Sequence, residues 1–300
     1  MTDRIVVVGS INRDTVVGVD RIPVAGETVL GRHLGSFPGG KGANQAVAAA
    51  RLGRQVAMVG RVGSDAFGTA ALEGMAAEGI DTTAVGIDAE LPTGSATILV
   101  DAGGENSIVA VPGANGRLGA AEIESAAAVL EAAAVVLVQL EVPIEAVAAT
   151  LRWSGGTVIV NAAPARPLPE EIMGGAGVLV VNRSELAVLG GGPEASTPGE
   201  VVDRAGRLGF HGSVVVTMGA AGAMVLTAAG VTEVPSIPVD VVDTTGAGDA
   251  FCGGLADGLA RGTTLEEATR WAVRVAALAT TRLGAQEALP TTEEVDQQGA

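Results

Sequence analysis

Hydrophobic positions along this chain follow two alternating rhythms. Short unbroken runs of β-branched residues, such as Ile5-Val6-Val7-Val8, recur between longer segments whose apolar positions return at helical spacing. An unbroken apolar run of this length predicts a strand buried on both faces, as in a parallel sheet. The pattern predicts strands at 4–9, 56–59, 83–86, 135–140, 157–160, 178–181 and 213–217. Helices are predicted at 39–53, 66–78, 120–133, 144–152, 184–189 and 200–208. Strands alternating with helices imply an α/β fold, a doubly wound and mainly parallel sheet flanked by helices.

Two places break this rhythm. Residues 14–20 and 28–36, then 93–100 and 106–111, alternate apolar and polar positions around Pro-Val-Ala-Gly-Glu and Asp-Ala-Gly-Gly-Glu turns. They predict two hairpins that form a small β-sheet lid, inserted at about 12–38 and 91–112 of a single domain spanning 1–300. A third hairpin is expected at 222–227 and 231–235. Thr-x-x-Glu occurs twice over at Thr263 to Glu267, a capping box that should open a helix running to about 283. The polar tail beyond Thr291 is expected to fray. No internal repeat or low-complexity linker is present.

Polar residues cluster where the predicted strands end: Asn12 and Asp14, Glu141, Asn161, Asn182 with Glu185, and the Met218-Gly219-Ala220-Ala221-Gly222 turn after Thr217. In open α/β sheets that edge carries the ligand crevice. Asn12 and Asp14 are two residues apart, so in extended chain they face one way. An amide beside a carboxylate suits vicinal hydroxyls, each of which both donates and accepts; an Asx turn is the plainer reading of the same pair.

Composition narrows the function classes. The net charge of −16 argues against a nucleic-acid partner. No apolar run approaches the ~20 residues of a membrane span, and the chain enters its first strand without a signal-peptide pattern, so a cytoplasmic protein is expected. One cysteine, Cys252, excludes an intrachain disulfide and reads as a small core residue. His33 and His211 carry no predicted role. Among 18 basic residues Lys41 is the only lysine. Its place in Gly39-Gly40-Lys41-Gly42-Ala43-Asn44 points to a site that needs a compact ammonium rather than a guanidinium fork.

The sharpest chemistry lies at Asp243-Thr244-Thr245-Gly246-Ala247-Gly248-Asp249. A glycine-rich turn opening a helix directs N–H groups at one spot, an anion site suited to phosphate. A carboxylate there makes sense as a base for a hydroxyl that attacks phosphorus. The Walker A spacing is absent, and Gly9-Ser10-Ile11-Asn12 does not continue as Gly-x-Gly-x-x-Gly.

Together, Gly9-Ser10-Ile11-Asn12-x-Asp14, Gly39 to Ala46, Gln139-Leu140-Glu141, Asn182-x-x-Glu185 and Asp243 to Asp249 resemble, in order and over essentially the whole chain, the ribokinase branch of the ribokinase-like (PfkB-type) carbohydrate kinases. The resemblance implies an enzyme, an ATP-dependent sugar kinase that phosphorylates the 5-hydroxyl of D-ribose with ATP, Mg²⁺ and K⁺. By matching positions it implies that Asn12, Asp14, Gly40, Lys41, Gly42, Ala43, Asn44 and Glu141 hold ribose. Asp249 would be the general base, and Gly246, Ala247 and Gly248 would form an anion hole with it. Asn182, Glu185, Thr217, Met218, Gly219, Ala220, Ala221, Gly222, Gly248 and Val273 would serve the nucleotide. Asp243, Thr245, Ala279, Arg282, Gly284 and Ala288 would hold K⁺. Ala288 departs from the serine common there, and Asn161-Ala162-Ala163-Pro164 from Asn-Pro-Ala-Pro. The lid's strand edges need cover, so a homodimer through the lid is expected.

Two other readings compete. The same chemistry could act on deoxyribose, a ketohexose or a nucleoside, although a chain with no Tyr, four Phe and two Trp is poor in stacking surface for a base. A sugar-binding sensor would leave Asp249 without a purpose.

Overall fold

The computed structural model describes residues 3–298. The apolar runs behave as their composition dictates. In β1 (Ile5–Val8), Ile5 and Val7 enter one core while Val6 and Val8 enter a second, all fully buried. Alternation of side chains across the strand divides them between two helical layers.

The chain continues through β2 (Asn12–Gly18), β3 (Arg32–Gly39), α1 (Lys41–Arg51), β4 (Val56–Gly63), α2 (Ala66–Ala77), β5 (Asp81–Asp88), β6 (Gly94–Val100) and β7 (Asn106–Val111). A 3-10 turn at Gly113–Arg117 leads to α3 (Ala120–Ser125), α4 (Ala127–Glu131), β8 (Val135–Gln139), α5 (Ile144–Trp153), β9 (Thr157–Asn161), α6 (Glu170–Gly175), β10 (Val178–Asn182), α7 (Arg183–Gly190) and α8 (Pro198–Arg207). Then come β11 (Ser213–Thr217), β12 (Ala223–Thr227), β13 (Gly230–Val234), α9 (Ala247–Ala260), α10 (Leu265–Ala279) and α11 (Thr292–Gln297).

Nine strands form the main sheet in the order β13-β12-β11-β10-β9-β8-β1-β4-β5. All neighbours are parallel except the β11–β12 and β12–β13 pairs. Because β1 pairs with β4 on one side and β8 on the other, chain order reverses between β1 and β8. Such a switch point opens a crevice at the carboxyl ends of the strands. α1, α9 and α10 pack on one face, and α3 to α8 supply the other core. Glycines let α9 approach its neighbours: a Cβ on Gly253 would stand 2.5 Å from Ala48 Cβ, and one on Gly258 would stand 2.7 Å from Ala268 Cα.

The lid is a separate four-stranded sheet, β3-β2-β6-β7. Its two hairpins are antiparallel and are joined by the parallel pair β2–β6. β6 and β7 lie where the sequence pattern expects them, while β2 and β3 are shifted, because Asn12 already enters the ladder opposite Gly39 and Gly94. β2 therefore starts at Asn12 itself, and β3 runs directly into α1.

Three helical expectations change. The predicted helix at 120–133 breaks at Ala126, whose N–H is shared between the Glu122 and Ile123 carbonyls. The helix expected to reach 283 ends at Ala279, where the Thr280 and Thr281 hydroxyls bond the carbonyls of Ala277 and Leu278. The tail does not fray over 291–298, and residues 299 and 300 lie outside the described residues. Thr291 and Glu294 form a capping box there, and Val295 is fully buried.

Candidate active site

Gly246 stands at the N-cap of α9 with φ 75°, in the left-handed region, and a Cβ there would lie 3.1 Å from Ala285 Cα. Glycine is required on both counts. The first intrahelical bond runs from Ala250 N–H to the Gly246 carbonyl, and the Ala247 N–H is taken by Thr244. The first-turn N–H groups of Gly248 and Asp249 precede the helical ladder, so they are available to an anion at the positive end of the helix.

Asp249 is 7% exposed and holds hydrogen bonds on both oxygens. Asn44 Nδ2 donates to Oδ2 at 2.9 Å, and Gln45 Nε2 donates to Oδ1 at 2.9 Å. Burial raises its pKa, against the Lys41 ammonium and these two amides, while Glu141 adds to the rise. Such a carboxylate is poised to accept a proton from a neighbouring hydroxyl.

Around it the β1 and β8 ends meet across the switch point. Ser10 Oγ donates to Glu141 Oε2 at 2.5 Å, and the Lys41 N–H donates to the same oxygen at 3.1 Å. Gly40, at φ 88°, caps α1 here, and Gly42 packs so closely that a Cβ would stand 2.7 Å from the Ser10 backbone. Asp14 Oδ1 is buried with no hydrogen-bond partner. Burial, then Glu141 and Asp249, push the Asp14 carboxyl up to about 6, with Lys41 opposing. Burial also works against the Lys41 charge, but Asp249, Glu141 and Glu185 outweigh it and hold the ammonium above the usual lysine value. An unpaired buried carboxylate oxygen is costly, so it is a prepared acceptor for a ligand hydroxyl.

Lys41, Asn182, Glu185, Thr217, Gly246, Gly248 and Asp249 line one cavity of about 150 Å³. Asn182 and Glu185 also cap α7 reciprocally, Asn182 N–H to Glu185 Oε2 and Glu185 N–H to Asn182 Oδ1, each at 2.8 Å. Burial raises the Glu185 pKa against the Asn182 N–H and Lys41, and Asp249 adds to the rise. Beyond Gly248 a cavity of about 550 Å³ opens, walled by Thr217, Gly219, Ala220, Gly222, Phe251 and Val273 among others. Its size and largely apolar wall suit a nucleobase and ribose. Met218 and Ala221 belong to the same turn but are not on that wall, and Ala43 faces a different groove, beside Phe67 and Met75.

The six positions expected to hold a monovalent cation converge in part. Asp243 Oδ1 accepts from the Thr245 N–H and hydroxyl, and Oδ2 accepts the Gly284 N–H at 3.0 Å. This ties the turn before α9 to the loop after α10. Arg282 pairs with Glu294, and Ala279 and Ala288 are buried. Among the described residues no group of three His, Cys, Asp or Glu side chains could hold a metal.

Several residues without an expected role hold these side chains. Gln45 bonds Asp249, Asn115 bonds Asn12, Ser10 bonds Glu141 and Gln286 bonds Asn44, while Gln139 and Asn161 bond Gln45 in turn. Ser10, Gln45, Gln139 and Asn161 lie inside the motif runs already noted. Gln286 gave no such signal, since it sits in a loop.

A buried carboxylate at a helix N-terminus, in a small polar cavity that shares Thr217 and Gly248 with a nucleotide-sized one, fits a nucleotide-dependent phosphotransferase with a hydroxyl acceptor. The profile of the pfkB family carbohydrate kinases matches residues 2–292. The chain belongs to that family. It is 41% identical over 296 residues to a ribokinase of Bacillus subtilis, covering 98% of both chains. It is 36% identical over 299 residues to a deoxyribokinase of Salmonella typhimurium, covering 98% of this chain and 97% of the other. The solved structure of an Arabidopsis thaliana ribokinase complexed with ribose and ATP matches with a TM-score of 0.88 at 31% identity, covering 99% of this chain and 98% of that one.

Proposed function

We propose that this protein transfers the γ-phosphoryl group of ATP to the 5-hydroxyl of D-ribose. The observation that carries the reading is Asp249 itself, buried, doubly hydrogen-bonded and set at the start of α9 where the two pockets meet. The relative from Bacillus subtilis and the Arabidopsis thaliana complex support ribose and ATP as the pair.

Asn12, Asp14, Asn44 and Glu141 bind the sugar hydroxyls, with Asp14 accepting through its unpartnered oxygen. Lys41 balances the carboxylates and faces the phosphate side. Asp249 takes the 5-hydroxyl proton as that oxygen attacks phosphorus. The bond from phosphorus to the β,γ-bridging oxygen breaks, and ADP leaves. The Gly248 and Asp249 N–H groups stabilise the charge on the transferring group. The lid, residues 12–38 and 91–112 of this single domain, excludes water that would compete as acceptor.

Mg²⁺ would neutralise the triphosphate when bound, with Asn182 and Glu185 near it through water. K⁺ would sit between the Asp243–Thr245 turn and the Arg282–Ala288 loop, behind the anion hole. The fit of this chain is incomplete, because Ala288 offers no hydroxyl. Lid edges β3 and β7, and an apolar row of Val16, Ile98 and Ile108 in register across β2, β6 and β7, support a second copy as the lid's cover. No helix of the described residues is long and apolar enough to cross a membrane, and the buried lone cysteine suits a cytoplasmic enzyme.

The test is ADP release with ribose, deoxyribose, fructose, adenosine and uridine as acceptors, with and without K⁺. Turnover is expected to be best with ribose. Preferred turnover of deoxyribose would move the specificity to that of the Salmonella typhimurium relative, and turnover of a nucleoside without ribose would overturn the reading.

A further inference from the structure

Five amide and carboxylate side chains form a chain whose direction is fixed from its centre. An ionised Asp249 can only accept. Asn44 must therefore turn its NH₂ to Asp249 Oδ2, which leaves Asn44 Oδ1 to accept from Gln286 Nε2 at 3.0 Å. On the other side Gln45 must turn its NH₂ to Asp249 Oδ1, which leaves Gln45 Oε1 to accept from Gln139 Nε2 at 2.6 Å. The second hydrogen of the Gln45 amide goes to Asn161 Oδ1 at 3.1 Å. Every donor along Gln286–Asn44–Asp249 and Gln139–Gln45–Asp249 thus points inward at one carboxylate.

We propose that this convergent chain is a positioning device for the reaction, with Gln286 as its outer end on the 284–288 loop. Gln286 reinforces the orientation of the Asn44 amide by donating to Asn44 Oδ1, and so favours the ionised form of Asp249 and keeps its free lone pairs aimed at the acceptor hydroxyl. The idea rests on Asp249 being the base. It assigns Gln286 a role through Asn44, with no contact to substrate. The inner Gln139 is fully buried, so its substitution would confound folding with function. Gln286, partly exposed on a loop, is the cleaner probe.

The variants are Gln286→Ala, Gln286→Met and Gln286→Glu, each compared with wild type in kcat, KM for ribose, the pH profile of kcat/KM and melting temperature. Ala and Met remove one hydrogen bond, so kcat/KM should fall about 2- to 10-fold. Glu is nearly isosteric but can only accept. It would draw the Asn44 NH₂ away and turn the Asn44 carbonyl toward Asp249. The Glu variant should therefore fall about tenfold or more below the Ala variant, with its acidic limb moved to higher pH and its melting temperature kept. A loop-packing role predicts the reverse order, with Glu at or above Ala and an unmoved acidic limb, and that result would overturn the proposal. Asp249→Asn, measured in parallel, separates the two levels. If it stays active, the base assignment fails; if it is inactive while the Gln286 variants match wild type, only the relay fails.

Discussion

Asn115 donates from Nδ2 to Asn12 Oδ1 at 2.8 Å, while its own Oδ1 accepts the Ile11 N–H at 2.9 Å. One buried amide, in the 3-10 turn that leaves the lid, thereby orients the side chain of Asn12, the first of the residues proposed to hold the acceptor. Asn115 takes one lone pair of Asn12 Oδ1, and the Asn12 NH₂, oriented by that bond, can donate to a hydroxyl oxygen of the acceptor.

Replacing Asn115 with Leu should therefore raise KM for the acceptor about tenfold with a smaller change in kcat, and should cost about 1–3 kcal/mol of stability for the orphaned Ile11 N–H. Steady-state kinetics and denaturant titration check both numbers. An unchanged KM would separate Asn12 from acceptor binding.

Asp14 gives a test with a definite sign. Its folded pKa, about 6, lies above the usual carboxylate value of 3.8. The folded state therefore binds this proton more tightly than the unfolded chain. The stability from this group is lost as pH rises from about 4 to 6 and stays absent above that. Asp14→Asn should raise the melting temperature of the free protein at pH 8 by a few degrees, on the order of 2–5 °C, and show no gain at pH 4. The same variant should bind the acceptor poorly. A variant less stable than wild type at pH 8 would show that the carboxylate already has a partner.

Lys41 is the cation that opposes the raised pKa of both Asp14 and Asp249. In Lys41→Met both carboxylates should protonate at higher pH, so the acidic limb of kcat/KM should move up by about one pH unit. Lys41→Arg should also lose activity, because a planar fork does not replace a compact ammonium beside three carboxylates. A pH–rate profile that superimposes on wild type for the Met variant would remove Lys41 from the electrostatics of the site.

The cation loop offers a gain-of-function test. Ala288→Ser adds one hydroxyl at a fully buried position of the proposed K⁺ site. It should lower the K⁺ concentration for half-maximal activation about 2- to 10-fold, the worth of one extra ligand-scale contact, and leave kcat at saturating K⁺ nearly unchanged. Activity independent of K⁺ in both proteins would discard the site.

Much of this was legible in the sequence because the signals were local. β-branched runs and helical spacing gave the layers. Asp249 and Lys41 stood out because a glycine-rich turn or a lone residue type singled them out. Partnerships across the fold were not legible. Gln286 lies 242 residues from Asn44 and Asn115 lies 103 from Asn12, and no period links them. The capped helix at Thr292–Gln297 departs from the fraying its polarity suggests, because the Thr-x-x-Glu cap and the buried Val295 anchor it to the core. Lid strands β2 and β3 lie away from their expected positions because ladder pairing of Asn12 with Gly39 and Gly94, rather than side-chain alternation, sets their ends, whereas β6 and β7 lie where alternation put them.

The most direct measurement is ATP-dependent phosphorylation of ribose by Asp249→Asn, with ribose binding followed separately by calorimetry. The amide keeps the shape of the carboxylate but takes no proton. The account predicts ribose affinity within a few-fold of wild type and kcat lower by at least about 10². Turnover near that of wild type would contradict it.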